Sequence, residues 1–514
     1  MSISLSKQTR KDRPVAQELP QALYSAAHAR ELDRLAAAEY GIADGRLMER
    51  AGAAAFNVLR WNWPSARRIA VLCGSGNNGG DGYVVARLAQ LAGLQPVVMA
   101  LGAPEQLTGA ALAACQALPG TGCAVDAFAP ERLQDCDVIV DALFGTGLER
   151  EVTGIWREAI TATNALAKPV LALDLPSGLH ADTGRVLGVA VQATVTITFI
   201  GLKAGLFTAQ GPAYCGEILF AGLDVPAALY DRIQPLGRRI TEKTLHPLVP
   251  RRRRDAHKGD HGHVLIIGGA PGMGGAVRMA GEAAYRAGAG LVSLATHPSH
   301  AAQLSGARPE LISYGIEDRA QLRAAFARAD VVAIGCGLSQ ADWGRKLWQQ
   351  ALDCKLPLVV DADGLNLLAH DPMQRPDWIL TPHPGEAARL LGCTTAEIQA
   401  DRFAAVGKLT QRYGGVCVLK GAGSLIAAGA SDVWLCDRGN PGMASGGMGD
   451  VLTGIIAAMV AQGLKPMDAA RLAVWIHASA GDAAARAGGE IGLMAADLMP
   501  HIRRQINAMH ARAD

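Results

Sequence analysis

Short apolar runs alternate with helix-like segments along almost the whole chain. In the first half, the runs that read as buried strands lie at residues 69–73, 96–100, 138–141, 170–174 and 194–200. In the second half, they lie at residues 264–268, 291–295, 331–335, 358–361, 379–381 and 416–420. Strands that alternate with helices predict mostly parallel sheets with helices on both faces. The expected fold class is therefore α/β, with three-layer α/β/α domains.

The chain has 514 residues, which is too many for one ordinary core, so we expect at least two domains. A helical stretch at about residues 25–59, interrupted near Gly41, opens the first half. A segment rich in proline and arginine, at about residues 226–257, separates the halves. We predict a disordered leader at residues 1–20, a first domain at residues 21–235 and a second domain at residues 236–514.

Composition argues against several classes of protein. Hydrophobic residues make up 50% of the chain and charged residues 19%, which does not suit general disorder. The net charge of +2 is too small to indicate nucleic acid as a partner, and we interpret the four arginines at residues 251–254 as a solvated linker. We predict no membrane span and no secretory signal. The ten cysteines form no Cys-x-x-Cys pair, which favours a reduced, cytoplasmic protein.

A glycine-rich segment follows the first predicted strand. Residues 74–82 read Gly-Ser-Gly-Asn-Asn-Gly-Gly-Asp-Gly, and we predict a helix from about Tyr83. A glycine turn between a strand and a helix is typical of phosphate binding, because free N–H groups and the helix dipole both favour an anion. The segment lacks the Gly-Lys-Ser/Thr of a P-loop. An ordinary tight turn is the alternative interpretation.

Two further strand ends in the first half carry polar residues. Residues 141–150 read Asp-Ala-Leu-Phe-Gly-Thr-Gly-Leu-Glu-Arg, and residues 174–178 read Asp-Leu-Pro-Ser-Gly. An aspartate at a strand end often only caps a turn. Here Asn78, Asp141 and Ser177 together supply hard oxygen ligands beside the proposed anion site, and such ligands suit a hard cation.

The second half has its own glycine-rich segment. Residues 439–450 read Gly-Asn-Pro-Gly-Met-Ala-Ser-Gly-Gly-Met-Gly-Asp and precede an apolar helix predicted at about residues 451–462. The glycines leave N–H groups free at a helix N-terminus, which predicts an anion hole. Asp450 could act only as a helix cap. A carboxylate beside an anion hole also suits a general base that deprotonates a hydroxyl during phosphoryl transfer.

Other motifs of the second half lie next to predicted strands. They are residues 257–262 (His-Lys-Gly-Asp-His-Gly), residues 268–276, residues 381–386 (Thr-Pro-His-Pro-Gly-Glu) and residues 420–424 (Lys-Gly-Ala-Gly-Ser). An isolated histidine such as His383 is often structural. Its position between two prolines at a strand end favours contact with a substrate. Such a set is typical of ribokinase-like sugar and vitamin kinases.

The three motifs of the first half resemble the N-terminal domain of the YjeF family, the NAD(P)H-hydrate epimerases, over roughly residues 24–230. The resemblance implies a Rossmann-like domain in which Asn78, Asp141 and Ser177 hold K⁺. Asp174 is our candidate proton-transfer group. Lys203 is a second candidate, for which a structural role is the alternative. The implied substrate-binding residues are Asn77, Asn78, Gly79, Gly80, Asp81, Gly145, Thr146, Gly147, Leu148, Glu149, Arg150, Glu151 and Asp174.

The second half, at about residues 240–505, resembles the C-terminal domain of the same family, the NAD(P)H-hydrate dehydratases, which implies a ribokinase-like fold. Asp450 would be the catalytic base, and Mg²⁺ would screen the nucleotide phosphates. Two departures from the family pattern, Cys336 and Met448, put the contact of Gly337 in doubt. The implied substrate-binding residues are Ala276, Gly337, His383 and Asp450. The implied ADP- or ATP-binding residues are Lys420, Gly421, Ala422, Gly423, Ser424 and Gly449.

The resemblance implies a bifunctional enzyme. It would interconvert the R and S epimers of NADHX and NADPHX, and dehydrate the S epimer with ADP or ATP, giving AMP or ADP and phosphate. We expect a homo-oligomer without nucleic-acid or membrane partners. One alternative is a vitamin or sugar kinase fused to a ligand-binding domain. Another is a first domain that has lost its activity, against which the joint presence of its motifs argues. A nicotinamide dehydrogenase is disfavoured, because Gly-x-Gly-x-x-Gly is absent from the required register.

Overall fold

The computed structural model describes residues 18–429 and 432–511. Contacts divide the chain into two compact units, between Gly237 and Arg238. The predicted leader at residues 1–20 lies, except for its last three residues, outside the described part of the chain.

The first unit contains a seven-stranded sheet in the order β4-β3-β2-β5-β6-β7-β9, and every neighbouring pair is parallel. The remaining two strands of this unit, β1 and β8, pair with each other in parallel. The strands of this unit are β1 (Ala22–Tyr24), β2 (Arg68–Cys73), β3 (Gln95–Ala100), β4 (Val125–Ala127), β5 (Val138–Ala142), β6 (Val170–Leu173), β7 (Val195–Phe199), β8 (Leu202–Lys203) and β9 (Glu217–Ala221). The strand order is Rossmann-like, and it reverses direction between β2 and β5, where such sheets bind ligands.

Helices cover both faces of this sheet. They are α1 (Ala26–Tyr40), α2 (Asp44–Asn62), α3 (Asn77–Leu91), α4 (Gly109–Gln116), α5 (Gly154–Ala165) and α6 (Gly211–Tyr214). Alternate residues of β2 face opposite sides: Ile69 and Val71 pack with the cluster that includes α2 and α3, whereas Ala70 and Leu72 pack with the cluster that includes α5. Gly41 ends α1 at φ +65°, which confirms the predicted interruption of the first helical stretch.

The second unit contains a longer sheet in the order β13-β12-β11-β14-β15-β16-β17-β18-β19-β10. Its strands are β10 (Gly237–Arg239), β11 (His263–Ile267), β12 (Leu291–Thr296), β13 (Ile312–Gly315), β14 (Val331–Ile334), β15 (Leu358–Val360), β16 (Trp378–Leu380), β17 (Val416–Leu419), β18 (Ser424–Ala427) and β19 (Val433–Cys436). Only β18 runs antiparallel to its neighbours within the described sheet. The order reverses between β11 and β14, the kind of position at which such sheets commonly bind ligands.

The helices of the second unit complete its three layers. They are α7 (Glu242–Leu245), α8 (Gly274–Arg286), α9 (Pro298–Ala307), α10 (Arg319–Phe326), α11 (Asp342–Leu352), α12 (Ala362–His370), α13 (Pro384–Leu391), α14 (Thr395–Ala400), α15 (Arg402–Tyr413), α16 (Met448–Ala461), α17 (Pro466–Gly488) and α18 (Leu498–Ala511). Helix α16 lies close against α8, where a Cβ at Gly454 would be only 2.0 Å from the Ala280 carbonyl oxygen. This contact fixes α16, whose first turn carries Asp450.

The predicted α/β class is confirmed, and each predicted strand is present with small shifts at its ends. Strands β1, β4, β8, β9, β10, β13, β18 and β19 were not predicted. Strands β4 and β13 contain no buried residue and lack an apolar run. The first strand that we predicted in the second half, at residues 264–268, is not the first strand of the second unit, because β10 precedes it. Among the described residues, no helix is long and apolar enough to cross a membrane.

One helix start was predicted wrongly. We expected the helix after the first glycine-rich segment to begin near Tyr83, but α3 begins at Asn77. The glycines lie within the helix and do not end it. They allow α3 to approach the preceding loop closely, since a Cβ at Gly79 would lie 2.0 Å from the Gly74 carbonyl oxygen. The turn that we predicted to bind phosphate is therefore shorter than expected, and Asn77 to Asp81 occupy the first helical turns.

Candidate active sites

The three motifs of the first unit meet at the carboxyl ends of β2, β5 and β6. Asn78 lies in the first turn of α3, Gly145 lies in the loop after β5, and Asp174 directly follows β6. A Cβ built at Gly145 would be 3.4 Å from the Asn78 Cβ and 3.6 Å from Asp174 Oδ2. The predicted residues Asn77, Gly79, Gly80 and Asp81 share the first turns of α3 with Asn78. The structure thus brings the predicted phosphate cradle and the predicted proton-transfer group together.

The three predicted cation ligands are buried. Asp141 Oδ1 accepts a hydrogen bond from Ser177 Oγ at 2.6 Å, and Oδ2 accepts one from the Ser177 amide at 2.8 Å. Burial raises the pKa of Asp141 to about 6, although the Ser177 hydrogen bonds oppose this shift. The side-chain oxygen and nitrogen of Asn78 are both buried without a hydrogen-bond partner in the described structure. Since buried polar atoms normally have partners, Asn78 is available to a ligand.

Asp174 has an unusual backbone conformation, at φ +64°. Only a few per cent of residues other than glycine adopt such angles, and they cluster at functional sites. Lys203, at the end of β8, forms an ion pair with Asp174 Oδ1 and is 2% exposed. Lys203 was one of two predicted proton-transfer candidates, and its position beside Asp174 links the two.

Two more carboxyl groups lie near the ion pair of Asp174 and Lys203. Asp81 lies on α3, and burial raises its pKa well above the usual value, with a further contribution from the charge of Asp174. Asp33 lies on α1, where partial removal from water and the charge of Asp174 raise its pKa to about 6, while the charge of Lys203 opposes the shift. Sequence reasoning missed Asp33, because it lies in an amphipathic helix with no motif around it.

The rest of the predicted substrate loop is less closely associated with Asp174. Thr146 and Gly147 follow Gly145, and Leu148 is buried. Glu149 contacts His180, with 3.2 Å between Oε2 and Nε2. Arg150 and Glu151 are exposed, and no contact within the described residues joins them to Asp174.

The second site is organised around a largely buried ion pair between Lys420 and Asp361. Lys420, directly after β17, donates a hydrogen bond to Asp361 Oδ1 at 2.7 Å. Asp361 Oδ2 accepts a hydrogen bond at 2.8 Å from Thr453 on α16. A Cβ at Gly449 would lie 3.3 Å from Asp361 Oδ2 and 3.4 Å from Lys420 Nζ. Asp361 therefore joins the predicted nucleotide-binding lysine to the helix that carries Asp450.

Charges within this site oppose the effects of burial. Burial favours a neutral Asp361, but the Lys420 ammonium and the hydrogen bonds from Lys420, Thr453 and the Ala362 amide together lower the pKa of this carboxyl. Burial likewise disfavours the charged lysine, but Asp361 and Glu386 together raise the pKa of Lys420. The pair is therefore ionised, with the ammonium oriented by Asp361.

Asp450 lies in the first turn of α16, as predicted. Its pKa is raised to about 6 because it is buried, while a hydrogen bond from the Cys336 thiol opposes the shift. Gly337, next to Cys336, has φ +58°, and a Cβ there would lie 3.2 Å from the Ala276 Cβ. The predicted substrate residues Ala276 and Gly337 thus lie side by side, and Cys336, next to Gly337, connects them to Asp450.

His383 has a structural role in addition to any contact with substrate. Its Nδ1 accepts hydrogen bonds from the amides of Gly385 and Glu386, at 3.0 and 3.3 Å, and so caps α13. Glu386 completes a capping box by accepting from the His383 amide at 2.8 Å. Glu386 Oε2 also lies 3.8 Å from Lys420 Nζ, which connects this cap to the ion pair.

The predicted nucleotide-binding loop connects β17 and β18. Ser424 begins β18, and its hydroxyl donates to the Gly421 carbonyl at 3.0 Å, which closes the turn. Arg402, which is 1% exposed, lies beneath this loop and donates to the carbonyls of Leu419, Lys420 and Gly423 at 3.2–3.3 Å. Sequence reasoning missed both Arg402 and Asp361, since neither belongs to a recognisable motif.

The described residues contain no cluster of three His, Cys, Asp or Glu side chains that could hold a metal ion. The first unit instead offers amide, hydroxyl and carboxylate oxygens at Asn78, Ser177 and Asp141, a donor set suited to a weakly bound hard cation. In the second unit, carboxylates near Lys420 could assist a Mg²⁺ ion that is held mainly by phosphates.

Comparisons with known proteins cover both units. Residues 264–504 match the family model described as NAD(P)H-hydrate dehydratase, and residues 44–205 match the model described as YjeF-related protein N-terminus. A solved structure that is similar to part of the chain is the ADP/ATP-dependent NAD(P)H-hydrate dehydratase of Bacillus subtilis, co-crystallised with ATP and Mg²⁺. It is 28% identical, covers 53% of this chain and 98% of its own, and has a TM-score of 0.47.

Relatives of known description match along almost the whole chain. The bifunctional NAD(P)H-hydrate repair enzyme of Coxiella burnetii is 50% identical over 94% of this chain and 99% of its own length. The enzyme of the same description from Escherichia coli is 44% identical, over 98% of this chain and 97% of its own. These matches do not favour a vitamin or sugar kinase fused to a binding domain. The chain belongs to the family of bifunctional NAD(P)H-hydrate repair enzymes.

Proposed function

We propose that the chain repairs hydrated nicotinamide nucleotides in two steps. The first unit interconverts the R and S epimers of NADHX and NADPHX. The second unit dehydrates the S epimer with ADP or ATP as phosphoryl donor, which gives AMP or ADP and phosphate. The observation that carries this proposal is the position of Asp450, in the first turn of α16, beside the Lys420–Asp361 ion pair.

Dehydration needs a good leaving group, because hydroxide leaves poorly. Asp450 would remove the proton of the substrate hydroxyl as its oxygen forms a bond to the transferred phosphorus and the donor's P–O bond breaks. The ring nitrogen then supplies the electron pair that expels phosphate. Loss of a proton from the neighbouring ring carbon restores the double bond of the reduced nicotinamide.

Lys420 and the start of α16 would stabilise the negative charge of the phosphates. The amides of Gly446 to Gly449 lie at the N-terminus of a 14-residue helix, where the dipole favours an anion. Gly447 has φ +88°, and a Cβ at Gly446 would meet no atom within 4 Å, so the turn is open on one side. Mg²⁺ bound through the nucleotide phosphates would supply further charge screening.

Dehydration should depend on the protonation of Asp450. A general base must be deprotonated to act, and the pKa of Asp450 is about 6. We therefore expect kcat/KM for the S epimer to be nearly constant above pH 7 and to fall tenfold per pH unit well below pH 6. The measurement is the rate of absorbance recovery between pH 5 and pH 8.5 at constant ionic strength. A profile that stays flat down to pH 5 would contradict the role of Asp450.

In the first unit, Asp174 would transfer the proton needed to invert the hydroxyl-bearing carbon, since its Oδ2 lies beside Gly145. Asn78, Asp141 and Ser177 would hold K⁺ next to the anionic substrate. The proposal is supported by the partnerless, buried oxygen of Asn78. Bound there, K⁺ would help to neutralise the substrate phosphates.

Epimerisation should therefore respond to K⁺. We expect the rate to fall when K⁺ is replaced by choline at constant ionic strength, because the oxygen ligands of Asn78, Asp141 and Ser177 then lack their cation. Asn78→Leu keeps the side-chain volume but removes the oxygen, and it should make the remaining rate independent of K⁺. The measurement is the interconversion of separated epimers by chromatography. Equal wild-type epimerisation rates in K⁺ and in choline would contradict the proposed K⁺ site.

The proposed activity is tested by supplying mixed epimers with ADP or ATP in separate reactions. The expected result is the return of the reduced-nicotinamide absorbance with at least one nucleotide. Recovery with neither would refute the proposal. Accumulation of a stable phosphorylated substrate would instead indicate a kinase.

Cellular location and self-association are also part of the proposal. All ten cysteines are unpaired, including the buried Cys73 and Cys417, which favours a reducing compartment such as the cytoplasm. Assembly as a homo-oligomer stays a prediction.

A further inference from the structure

The side chain of Lys203 has no free donor. Its ammonium group donates to Asp174 Oδ1, to Thr198 Oγ1 at 3.1 Å and to the Phe199 carbonyl at 2.9 Å. A lysine ammonium has three N–H groups, so these three acceptors use all of them. The residue is also 2% exposed, which leaves no room for a substrate oxygen to replace one of the three.

The two oxygens of Asp174 have different surroundings. Oδ1 accepts from Lys203, from the Thr198 hydroxyl at 3.1 Å and from the Phe199 amide at 3.4 Å. No hydrogen bond within the described residues reaches Oδ2, which lies 3.6 Å from a Cβ built at Gly145. One oxygen is therefore held by the protein, while the other faces the cradle formed by Gly145 and Asn78.

We infer that Lys203 is a positioning residue: it holds Asp174 Oδ1 so that Oδ2 alone exchanges a proton with the substrate. The left-handed backbone of Asp174 makes such support necessary, because a residue at φ +64° is strained unless its surroundings fix it. Thr198 supports this geometry, because its hydroxyl donates to Asp174 Oδ1 and accepts from the Lys203 ammonium. This inference rests on the proposed epimerase activity and replaces the prediction that Lys203 itself transfers a proton.

A double-mutant cycle tests the inference in the full chain. Lys203→Met keeps the length of the side chain without its charge, and we expect kcat for epimerisation to fall on the order of 10²-fold, with KM changed less than about threefold. Because Lys203 acts through Asp174, adding Lys203→Met to Asp174→Asn should cause no further loss. If Lys203 were an independent proton donor, or only a structural residue, the losses of kcat in the two single variants would multiply in the double variant.

A matched control comes from the other edge of the same sheet. Lys168 precedes β6, whereas Asp174 follows it, and the Lys168 ammonium donates to the Gln134 and Cys136 carbonyls. Lys168→Met should leave epimerisation unchanged. Dehydration of the S epimer by the second unit reports on the amount of intact chain in every sample.

Folding of the first unit needs its own check, because Lys203→Met leaves the Asp174 carboxylate buried without its partner. The variant pair Asp174→Asn with Lys203→Met removes both charges and should restore the thermal transition of this unit. Thr198→Val, which removes one shared hydroxyl, should lower kcat by a smaller factor. If Lys203→Met epimerises at the wild-type rate, or if its effect multiplies with that of Asp174→Asn, the inference is wrong. If wild type does not epimerise, the proposed function fails instead.

Discussion

Asp450→Asn is expected to lower the rate of dehydration by on the order of 10²-fold or more, while epimerisation continues at the wild-type rate. Asparagine has nearly the same shape and can occupy the same helical turn, but it cannot accept the proton of the substrate hydroxyl. The measurement is the recovery of reduced-nicotinamide absorbance from the S epimer with saturating nucleotide.

A control variant separates catalysis from helix stabilisation. Asp468 occupies the same position in the first turn of α17 that Asp450 occupies in α16, and it pairs with Arg471 at 3.2 Å. Asp468→Asn should therefore change helix electrostatics to a similar degree without changing the dehydration rate. Near-normal turnover by Asp450→Asn would show that the residue is only a cap.

Asp174→Asn is expected to reduce epimerisation by a similar factor, because the substituted amide cannot exchange a proton at Oδ2. Given mixed epimers and nucleotide, this variant should quickly recover the S fraction and leave the R fraction to convert at the uncatalysed rate. Resolving the two epimers during the reaction measures both steps in the same sample.

The matching control is Asp137→Asn. Asp137 accepts from the amides of Arg67 and Arg68 at 2.8 and 2.9 Å, at the opposite edge of the sheet from Asp174. This change removes a carboxylate from the first unit at a position far from the cradle formed by Gly145 and Asn78. Clearance of both epimers by Asp174→Asn, faster than they interconvert without enzyme, would contradict the role of Asp174.

The local parts of both sites could be predicted from the sequence. Glycine-rich segments after apolar runs predicted that the motifs meet at one edge of each sheet, because carboxyl ends of parallel strands lie at the same edge. The first-turn position of Asp450 followed from the apolar helix after it. The capping role of His383 could also have been read locally, since Glu386 stands three residues later.

The supporting contacts could not be predicted, because their partners are far apart in the chain. Asp361 meets Lys420 across 59 positions and Thr453 across 92. Lys203 meets Asp174 across 29 positions, from a two-residue strand that has no periodic pattern. Glycines also misled the prediction of α3, where they permit close packing instead of ending the helix.

The most direct test of two independent sites on one chain is complementation with the pure R epimer. Asp174→Asn and Asp450→Asn chains are supplied with this epimer and nucleotide, first separately and then as an equimolar mixture, while the reduced-nicotinamide absorbance is followed. Neither variant alone should restore the absorbance at an enzymatic rate. The mixture should restore it, because the S epimer released by one chain is dehydrated by the other. Full recovery by Asp174→Asn alone, or an inactive mixture, would contradict this account.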